Sequence, residues 1–301
     1  MAVTKKGTKK KDKLGGTGDN DKLVGLAGND TLKGKGGDDK LIGGPGNDTL
    51  DGGKGRDVLK GGGGDDFLAP GNDLAADKVL GGGGFDTVDY RKAGGAVEVD
   101  LVTGVTGGRA ANDVLSSIEA VAGSRFDDTI VVGYEVADTS GDFAFILSGA
   151  GGLGGNDTLE IIKSSVDVFG ATFGGEGADR FILHTGAFGD RHADIDFNAS
   201  HGDKLVISSA EFAGITSGVF DASYILNTDA TIVGETAVLD ADPTAAHAQF
   251  IYYRNVGFLL FDPDGTGLEA ALVVTDLVGD LFGGYAYHST DLLTSHFEII
   301  A

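Results

Sequence analysis

A nine-residue repeat runs through residues 16–89. Six units follow one another without a break: GTGDNDKLV (16–24), GLAGNDTLK (25–33), GKGGDDKLI (34–42), GGPGNDTLD (43–51), GGKGRDVLK (52–60) and GGGGDDFLA (61–69). An eleven-residue variant, PGNDLAADKVL (70–80), comes next, and GGGGFDTVD (81–89) restores the period. Position six is Asp and position eight is aliphatic in every unit. This regularity predicts a stacked repeat structure rather than the disordered linker that such a glycine content could also indicate.

Positions seven to nine of each unit predict a strand of three residues whose middle side chain points inward. Positions one to six predict a turn, with glycine accepting the sharp bends. A strand this short is not stable alone, so successive units should alternate between two sheets of a coil, with two units per coil. The coil would bury a thin ladder of aliphatic side chains: Leu23, Leu32, Leu41, Leu50, Leu59, Leu68, Val79 and Val88.

The aspartates at position six would then stack along the two edges of the coil. One edge would carry Asp21, Asp39, Asp57 and Asp77, and the other Asp30, Asp48, Asp66 and Asp86. Carboxylates about 5 Å apart in a partly dry turn repel each other strongly, so a cation should lie between them. Calcium suits carboxylate and carbonyl oxygens, whereas magnesium demands a stricter octahedron and zinc prefers His or Cys, which these units lack.

Two later units keep the same aspartate: GLGGNDTLE (152–160) contains Asp157 and GGEGADRFI (174–182) contains Asp179. The alternative is that the position-six residues only cap turns through their side chains, in which case Asn or Ser would serve equally well. Position six is Asp in all ten units, although Asn occurs at position five. The pattern therefore favours cation ligands over turn caps.

The rest of the chain also predicts β structure. Residues 97–108 and 112–133 contain short alternating or apolar runs, and residues 250–274 predict a hairpin around the segment PDG. We therefore expect an all-β protein: a parallel β-roll, a further irregular β-roll and a C-terminal antiparallel β unit. The expected divisions are a flexible Lys-rich leader (1–14), the regular roll (15–89), an irregular β-rich region (90–190) and the C-terminal unit (191–301).

The charge distribution limits the partners of this chain. The formal net charge is -23, and the first thirteen residues hold six of the 23 Lys and Arg residues. The acidic remainder should repel phosphate backbones, so nucleic-acid binding is not expected. Contact with a membrane or a cell surface stays possible, but no feature of the sequence points to it. The chain has no Cys, its N terminus lacks the apolar stretch of a signal peptide, and no apolar run is long enough to span a membrane.

The units resemble the RTX calcium-binding nonapeptide repeat, GGxGxDxUx. Later segments, including DTVDYRKAGGAVEVDLVTG and DVLSSIEAVAGSRFDDTI, are similar to stretches of RTX exoproteins. The resemblance implies a parallel β-roll with calcium between successive turns, held by Asp21, Asp30, Asp39, Asp48, Asp57, Asp66, Asp77, Asp86, Asp157 and Asp179. It also implies secretion to the extracellular space by a type I ABC transporter apparatus, with an uncleaved signal in the last segment, which ends in SHFEIIA.

Signatures of catalysis are missing from the sequence. There is no HExxH motif, no GxSxG motif and no phosphate loop ending in GK[ST]. His184, Asp190, His192 and Asp194 share one polar stretch, but such histidines usually bind no metal. Asp262 and Asp264 fit a calcium loop or a plain hairpin turn equally, because Val273 occupies the place of the final Glu of an EF-hand.

The expected function is therefore a secreted calcium-binding protein without catalytic activity, which folds on binding calcium after export. Two alternatives remain open. The chain could be the C-terminal folding and secretion module of a larger RTX enzyme or toxin, although its Met1 start favours a separate protein. It could also be a calcium-dependent adhesive, surface-layer or pore-forming exoprotein.

Overall fold

The computed structural model of the chain describes residues 1–133 continuously and shorter stretches after that. The later described residues are 143–147, 154–162, 169–183, 193–195, 197–198, 200–208, 212, 225–228, 231–233, 236–238, 249–253, 258–262, 272–279, 286–287 and 297–300. These residues form 29 strands, numbered β1 to β29 in chain order. Within them there is no helix, and hence none long and apolar enough to cross a membrane. The prediction of an all-β protein is confirmed.

Two parallel sheets form the regular roll. The first sheet contains, in spatial order, β1 (Thr4–Lys6), β3 (Lys22–Val24), β5 (Lys40–Pro45), β7 (Val58–Gly63), β9 (Lys78–Gly83) and β13 (Val114–Ser116). The second sheet begins with β2 (Lys13–Gly15), β4 (Thr31–Gly36), β6 (Thr49–Lys54), β8 (Phe67–Gly71) and β10 (Thr87–Asp89). Odd and even strands thus lie in different sheets, as the period predicts. Leu23 pairs with Leu41 and Leu32 with Leu50, a step of 18 residues or one coil.

The core of the roll is the predicted ladder of aliphatic side chains. All eight of its members, from Leu23 to Val88, have 0% of their surface exposed. They belong to one cluster that continues into the second half of the chain through residues such as Val121 and Ile130. Of positions seven to nine, only position eight points into the core between the two sheets. The side chains at positions seven and nine point to the outer face.

Most strands of the roll are longer than the predicted three residues. β4 to β7 and β9 each extend to six residues, because the glycine-rich start of the next turn also pairs with the equivalent turn one coil away. Lys35 pairs with Gly53, and the Gly46 N–H donates to the Gly63 carbonyl at 2.7 Å. The turns are therefore as regularly hydrogen-bonded as the strands.

The N-terminal residues differ from the flexible leader predicted over residues 1–14. β1 pairs with β3 and β2 with β4, so the leader adds one more coil to the roll. The reason lies in residues 7–15, GTKKKDKLG, which keep Asp12 at position six and Leu14 at position eight, although Thr8 and Lys10 replace the glycines at positions two and four. The Asp12 N–H donates to Asp30 Oδ1 at 2.8 Å, as in the regular units.

The second half of the chain forms a less regular roll that shares the second sheet. That sheet continues through β14 (Ala120–Ala122), β16 (Phe143–Leu147), β18 (Phe169–Phe173), β20 (Ala193–Ile195), β27 (Leu272–Gly279), β26 (Phe258–Asp262), β25 (Gln249–Tyr253) and β22 (Ile225–Thr228), with β28 (Ala286–Tyr287) beside β27. A third sheet contains β12 (Val105–Gly108), β11 (Val97–Asp100), β15 (Thr129–Gly133), β17 (Thr158–Ile162), β19 (Arg180–Leu183), β21 (Lys204–Ser208) and β29 (Phe297–Ile300). From β14 to β21 the chain alternates between these two sheets, which matches the predicted irregular roll.

The C-terminal sheet is mixed rather than purely antiparallel. β25, β26 and β27 pair antiparallel, and β26 and β27 flank the predicted PDG turn, whose own residues lie outside the described ones. However, β27 joins β20, β25 joins β22 and β29 joins β21 in parallel. A separate hairpin of β23 (Thr231–Val233) and β24 (Thr236–Val238) completes the described strands. The C-terminal residues thus extend the existing sheets.

Candidate cation-binding turns

The aspartates at position six form two hydrogen-bonded ladders along the edges of the roll. Except in Asp21, the Oδ1 atom of each accepts the backbone N–H of the preceding aspartate of the ladder. The Asp30 N–H donates to Asp48 Oδ1 at 2.7 Å, and the Asp48 N–H donates to Asp66 Oδ1 at 2.8 Å. The other edge repeats this from Asp21 through Asp39, Asp57 and Asp77 at 2.7 Å. The predicted division of the aspartates between two edges is what the structure shows.

The second oxygen of most of these carboxylates has no hydrogen-bond donor. In seven of the predicted residues the Oδ2 atom is buried and unpartnered: Asp30, Asp39, Asp48, Asp57, Asp66, Asp86 and Asp179. Each of these residues is at most 2% exposed. A buried carboxylate oxygen without a donor is costly, so each such atom marks a place where a positive group is needed.

Glycine at position one leaves oxygen-lined space beside each unpartnered atom. A Cβ added to Gly43 would collide with Asp48 Oδ2 and would lie 2.8 Å from the Gly61 carbonyl oxygen of the next coil. The turn of Gly25, one coil before that of Gly43, is built in the same way. A Cβ added to Gly25 would collide with Asp30 Oδ2 and would lie 2.9 Å from the Gly43 carbonyl oxygen. Carboxylate and carbonyl oxygens are therefore neighbours in every regular turn, which is the donor set that calcium prefers.

The donor set argues against a transition-metal site in the turns. Among the residues that the structure describes, no three His, Cys, Asp or Glu side chains converge on one point. A cation in a turn would therefore take carbonyl oxygens together with the ladder carboxylates. A hard cation tolerates this mixture, whereas zinc would need nitrogen or sulfur ligands.

Burial and mutual repulsion raise the pKa of the ladder carboxylates. Desolvation is the largest cause: it raises the pKa of Asp48 to about 6, of Asp66 to about 7 and of Asp57 to about 8. The hydrogen bond that each accepts from the preceding ladder residue lowers the pKa in part, and the neighbouring carboxylates raise it again. The metal-free turns thus hold charge unfavourably at neutral pH.

Asp21 differs from the seven carboxylates with an unpartnered Oδ2, because both of its oxygens accept hydrogen bonds. Oδ1 accepts the Val3 N–H at 2.5 Å, and Oδ2 accepts the N–H of Thr17 in its own turn. Burial raises the pKa of Asp21, but these hydrogen bonds outweigh it, and the pKa is lowered overall. The Oδ2 atom of Asp12, one turn earlier along the chain, likewise accepts the Thr8 N–H at 2.6 Å. In both turns of the N-terminal coil, therefore, the Oδ2 atom has a donor from the protein.

Further ladder residues were not among the predicted ligands. Beyond Asp12 they are Asp113, Glu119, Asp128 and Asp203, each of which accepts a backbone N–H from the preceding ladder residue or strand. The four aspartates of this group share a signal in the sequence, because each stands two residues before a Leu or Ile. They are Asp12 in DKL, Asp113 in DVL, Asp128 in DTI and Asp203 in DKL.

Three of these additional aspartates accept a hydrogen bond from the protein at the Oδ2 atom as well. Asp113 Oδ2 accepts the Tyr90 hydroxyl at 2.9 Å. Asp203 Oδ2 accepts the Asn198 N–H at 2.7 Å, and Asp128 Oδ2 accepts the Ser124 N–H. These turns need no cation to satisfy their carboxylates. The unpartnered oxygens are therefore concentrated between Asp30 and Asp86.

Two other groups of candidate residues are not placed by the structure. His184, Asp190, His192 and Asp264 lie outside the described residues. Asp194 lies in β20 and Asp262 ends β26, where only the backbone is described. A metal at either group stays an open alternative, as it is in the sequence.

Comparison with known proteins agrees with the turn geometry. A family model of the RTX calcium-binding nonapeptide repeat (4 copies) matches residues 15–50 and 42–73. A comparison with curated proteins finds no match for this chain. The matched residues lie within the regular roll, where the buried carboxylate oxygens lack donors. Residues 15–73 thus contain RTX nonapeptide repeats, a type of repeat that binds calcium.

Proposed function

We propose that this protein is exported unfolded by a type I secretion apparatus, folds outside the cell when it binds calcium, and has no catalytic activity of its own. The observation that carries the proposal is the row of buried Oδ2 atoms without donors between Asp30 and Asp86. These atoms make the folded roll unfavourable without a cation and favourable with one.

The residues of each turn divide the work between structure and binding. Oδ1 of Asp48 holds the Asp30 N–H and so sets the spacing of two coils. Oδ2 of Asp48 and the nearby Gly61 carbonyl are left to face a ligand. Bound calcium supplies the positive charge that offsets the carboxylates on either side of it. Because the core holds one aliphatic ladder residue per unit, binding free energy should make the difference between the unfolded and the folded roll.

Calcium then works as a signal of location. The cytosol holds little free calcium, so the chain should stay unfolded and fit a narrow export channel. Extracellular modules typically bind calcium with dissociation constants of about 10⁻⁴ to 10⁻³ M, a range suited to millimolar calcium outside cells. RTX repeat proteins are typically secreted in this way, which supports the proposal.

The position of the C terminus in the fold supports export before folding. β29 pairs with β21, and Glu298 forms a two-point ion pair with Arg180, with N–O distances of 2.7 and 2.9 Å. A secretion signal in this segment would be accessible only while the chain is unfolded. Premature folding would therefore hide it.

A calcium titration followed by circular dichroism and calorimetry tests the folding step. The full chain should be largely unstructured in a chelator and should gain β structure cooperatively in millimolar calcium. The proposal fails if neither signal changes up to about 10 mM calcium, which is above the range of extracellular sites. Magnesium at the same concentration is the control and should produce little change.

Export is tested by producing the chain in cells with and without a type I transporter. The full chain should appear in the medium only when the transporter is present. A variant lacking residues 297–301 should stay inside the cell. Equal amounts of both proteins in the medium would overturn this part of the proposal without affecting calcium-driven folding.

A further inference from the structure

The exposed charge of the N-terminal roll is opposite in sign to that of the whole chain. Residues 1–60 hold 13 of the 23 Lys and Arg residues, and all 13 are exposed. They hold 9 of the 46 acids, of which 5 are the buried ladder residues Asp21, Asp30, Asp39, Asp48 and Asp57. Calcium bound in the turns would compensate these buried carboxylates. A partner approaching residues 1–60 therefore meets thirteen cations and four acidic side chains.

Part of this charge surrounds a pocket on the outer face of the second sheet. The pocket has a volume of about 240 Å³, and three lysines and two aspartates line it together with Gly53, Ala69, Gly71 and Asn72: Lys35, Lys54, Lys92, Asp51 and Asp89. Lys13 on β2 and Lys33 on β4 extend the positive charge along the same sheet. We call these lysines (Lys13, Lys33, Lys35, Lys54 and Lys92) the basic face. Adjacent coils are about 4.8 Å apart, so it covers about 20 Å of the roll.

Two ion pairs, Lys92–Asp51 and Arg91–Asp89, lie at the pocket, whereas Lys35 and Lys54 are unpaired among the described residues. Lys92 Nζ lies 3.0 Å from Asp51 Oδ2. Arg91 holds Asp89 through two contacts of 2.9 and 3.2 Å. Lys35 and Lys54 form no ion pair with any residue that the structure describes. These two ammonium groups are thus available to an anion.

The lining fits a carboxylated sugar better than other polyanions. Lysines bind a carboxylate, while Asp51 and Asn72 can accept hydrogen bonds from sugar hydroxyls. Nucleic-acid strands would need open aromatic faces for stacking, but the ring of Phe67 on this face is covered by Arg91 at 4.9 Å. Insertion into a lipid surface would need exposed large apolar side chains, which are missing from the pocket lining.

We propose that the basic face binds an acidic polysaccharide, with one uronate ring in the pocket and neighbouring rings along Lys33 and Lys13. The inference goes beyond calcium-driven folding and rests on it only because the face exists in the folded roll. It gives the protein a binding activity toward a carboxylated glycan. Lys35 and Lys54 belong by sequence to the turns of Asp39 and Asp57, but their side chains are exposed whereas the two carboxylates are buried. The lysines can therefore be replaced without removing a ladder carboxylate.

The test is calorimetric titration of the full chain with tetragalacturonate in millimolar calcium and about 0.15 M salt, where long-range attraction is screened. The variant Lys35→Gln/Lys54→Gln removes the two free cations of the pocket. Its matched control, Lys22→Gln/Lys40→Gln, makes the same change of charge on the first sheet. We expect about tenfold or greater weakening for the pocket variant, the loss of two charge-assisted contacts, and less than about twofold for the control.

Several results would overturn the proposal. They are no binding of tetragalacturonate, equal weakening by both variants, equal binding of neutral maltotetraose, or tighter binding to phosphatidylglycerol vesicles than to the uronate. Circular dichroism of the same samples reports whether the roll has folded. A failure of calcium-driven folding is thereby distinguished from a failure of the folded protein to bind the sugar.

Discussion

Replacing Asp66 by Asn should weaken the folded protein in calcium but strengthen it in a chelator. The amide keeps an Oδ1 acceptor for the Asp48 N–H, now 2.8 Å away. It removes the negative charge from the buried Oδ2 position, which has no donor. The ladder geometry is therefore preserved while a cation ligand is lost. The opposite signs of the two effects distinguish a ligand from a residue that only shapes the turn.

The size of the loss in calcium follows from mass action. A site with a dissociation constant of about 10⁻⁴ to 10⁻³ M contributes about 1.4 to 2.7 kcal/mol at 10 mM calcium. Asp66 lies between two coils, so losing the sites on both sides would cost about 3 to 5 kcal/mol. In a chelator at pH 8, the same carboxylate carries a penalty, because burial raises its pKa to about 7. Its removal should stabilise the fold by up to about 4 kcal/mol.

Asp65→Asn is the matched control for this substitution. Asp65 is the adjacent residue, exposed, and its Oδ1 accepts the Phe85 N–H at 2.9 Å, which Asn can also accept. Asn47 already occupies the equivalent place one coil earlier and accepts the Asp65 N–H at 3.1 Å. This variant makes the same change of charge and should shift the free energy of unfolding by less than about 0.5 kcal/mol.

Urea unfolding at 10 mM calcium and the midpoint of a calcium titration measure the loss. Circular dichroism in a chelator at pH 8 measures the gain, as an increase in β structure. The reasoning is refuted if the two variants shift the calcium midpoint equally, because the effect would then be one of net charge. It is also refuted if Asp66→Asn is no more stable than the unaltered protein in a chelator, because the buried carboxylate would then carry no penalty.

Three further predictions concern protons, glycine and the core. The pKa values of Asp48, Asp66 and Asp57, about 6, 7 and 8, lie above the usual 3.8, so the metal-free fold binds more protons than the unfolded chain. The stability of the metal-free fold should be greatest below about pH 4 and fall as pH rises through 6 to 8. Circular dichroism in a chelator should therefore show more β structure at pH 5 than at pH 8. Less β structure at pH 5 would contradict the reasoning. Gly43→Ala should abolish calcium binding in its turn, because the methyl group would collide with Asp48 Oδ2; Gly63→Ala, whose Cβ meets nothing within 4 Å, should leave the calorimetric titration unchanged. Leu50→Ala should cost about 2 to 5 kcal/mol in urea unfolding in calcium, since Leu50 is fully buried, whereas Leu74→Ala, 62% exposed, should cost less than about 0.5 kcal/mol.

The regular roll could be predicted from the sequence because its signal repeats. Asp48 and Leu50 are two residues apart in a unit that occurs again nine residues later, so a single alignment assigns the edge and the core of every coil. The same rule fails after residue 90. The ladder partners Asp128, Asp157, Asp179 and Asp203 are separated by 29, 22 and 24 residues, so no period links them. The three-residue signal Asp-x-aliphatic is too short to identify Asp203 without the register of the sheets.

The extra coil at the N terminus was missed for a related reason. In residues 7–15, Thr8 and Lys10 replace the turn glycines at positions two and four, and four of the nine residues are Lys, so composition predicts a solvated tail. In the structure, the backbone of β2 pairs with β4 whatever its side chains are, and Leu14 packs against the core. Pairing with an existing edge can impose strand structure on residues whose composition would not predict it.

Residue types and their spacing were enough to place aspartates at the edges of the roll, aliphatic residues inside it and calcium as the ligand. They could not tell which carboxylates have a free oxygen, because that depends on where each nearby donor points. In the Asp21 turn the Thr17 N–H turns inward to Oδ2, whereas the equivalent N–H of Leu26 donates to the Gly43 carbonyl of the next coil at 3.0 Å. Asp113 is closed by Tyr90, 23 residues away. Such donors arrive only through folding, so the extent of the cation-binding array is a property of the tertiary structure.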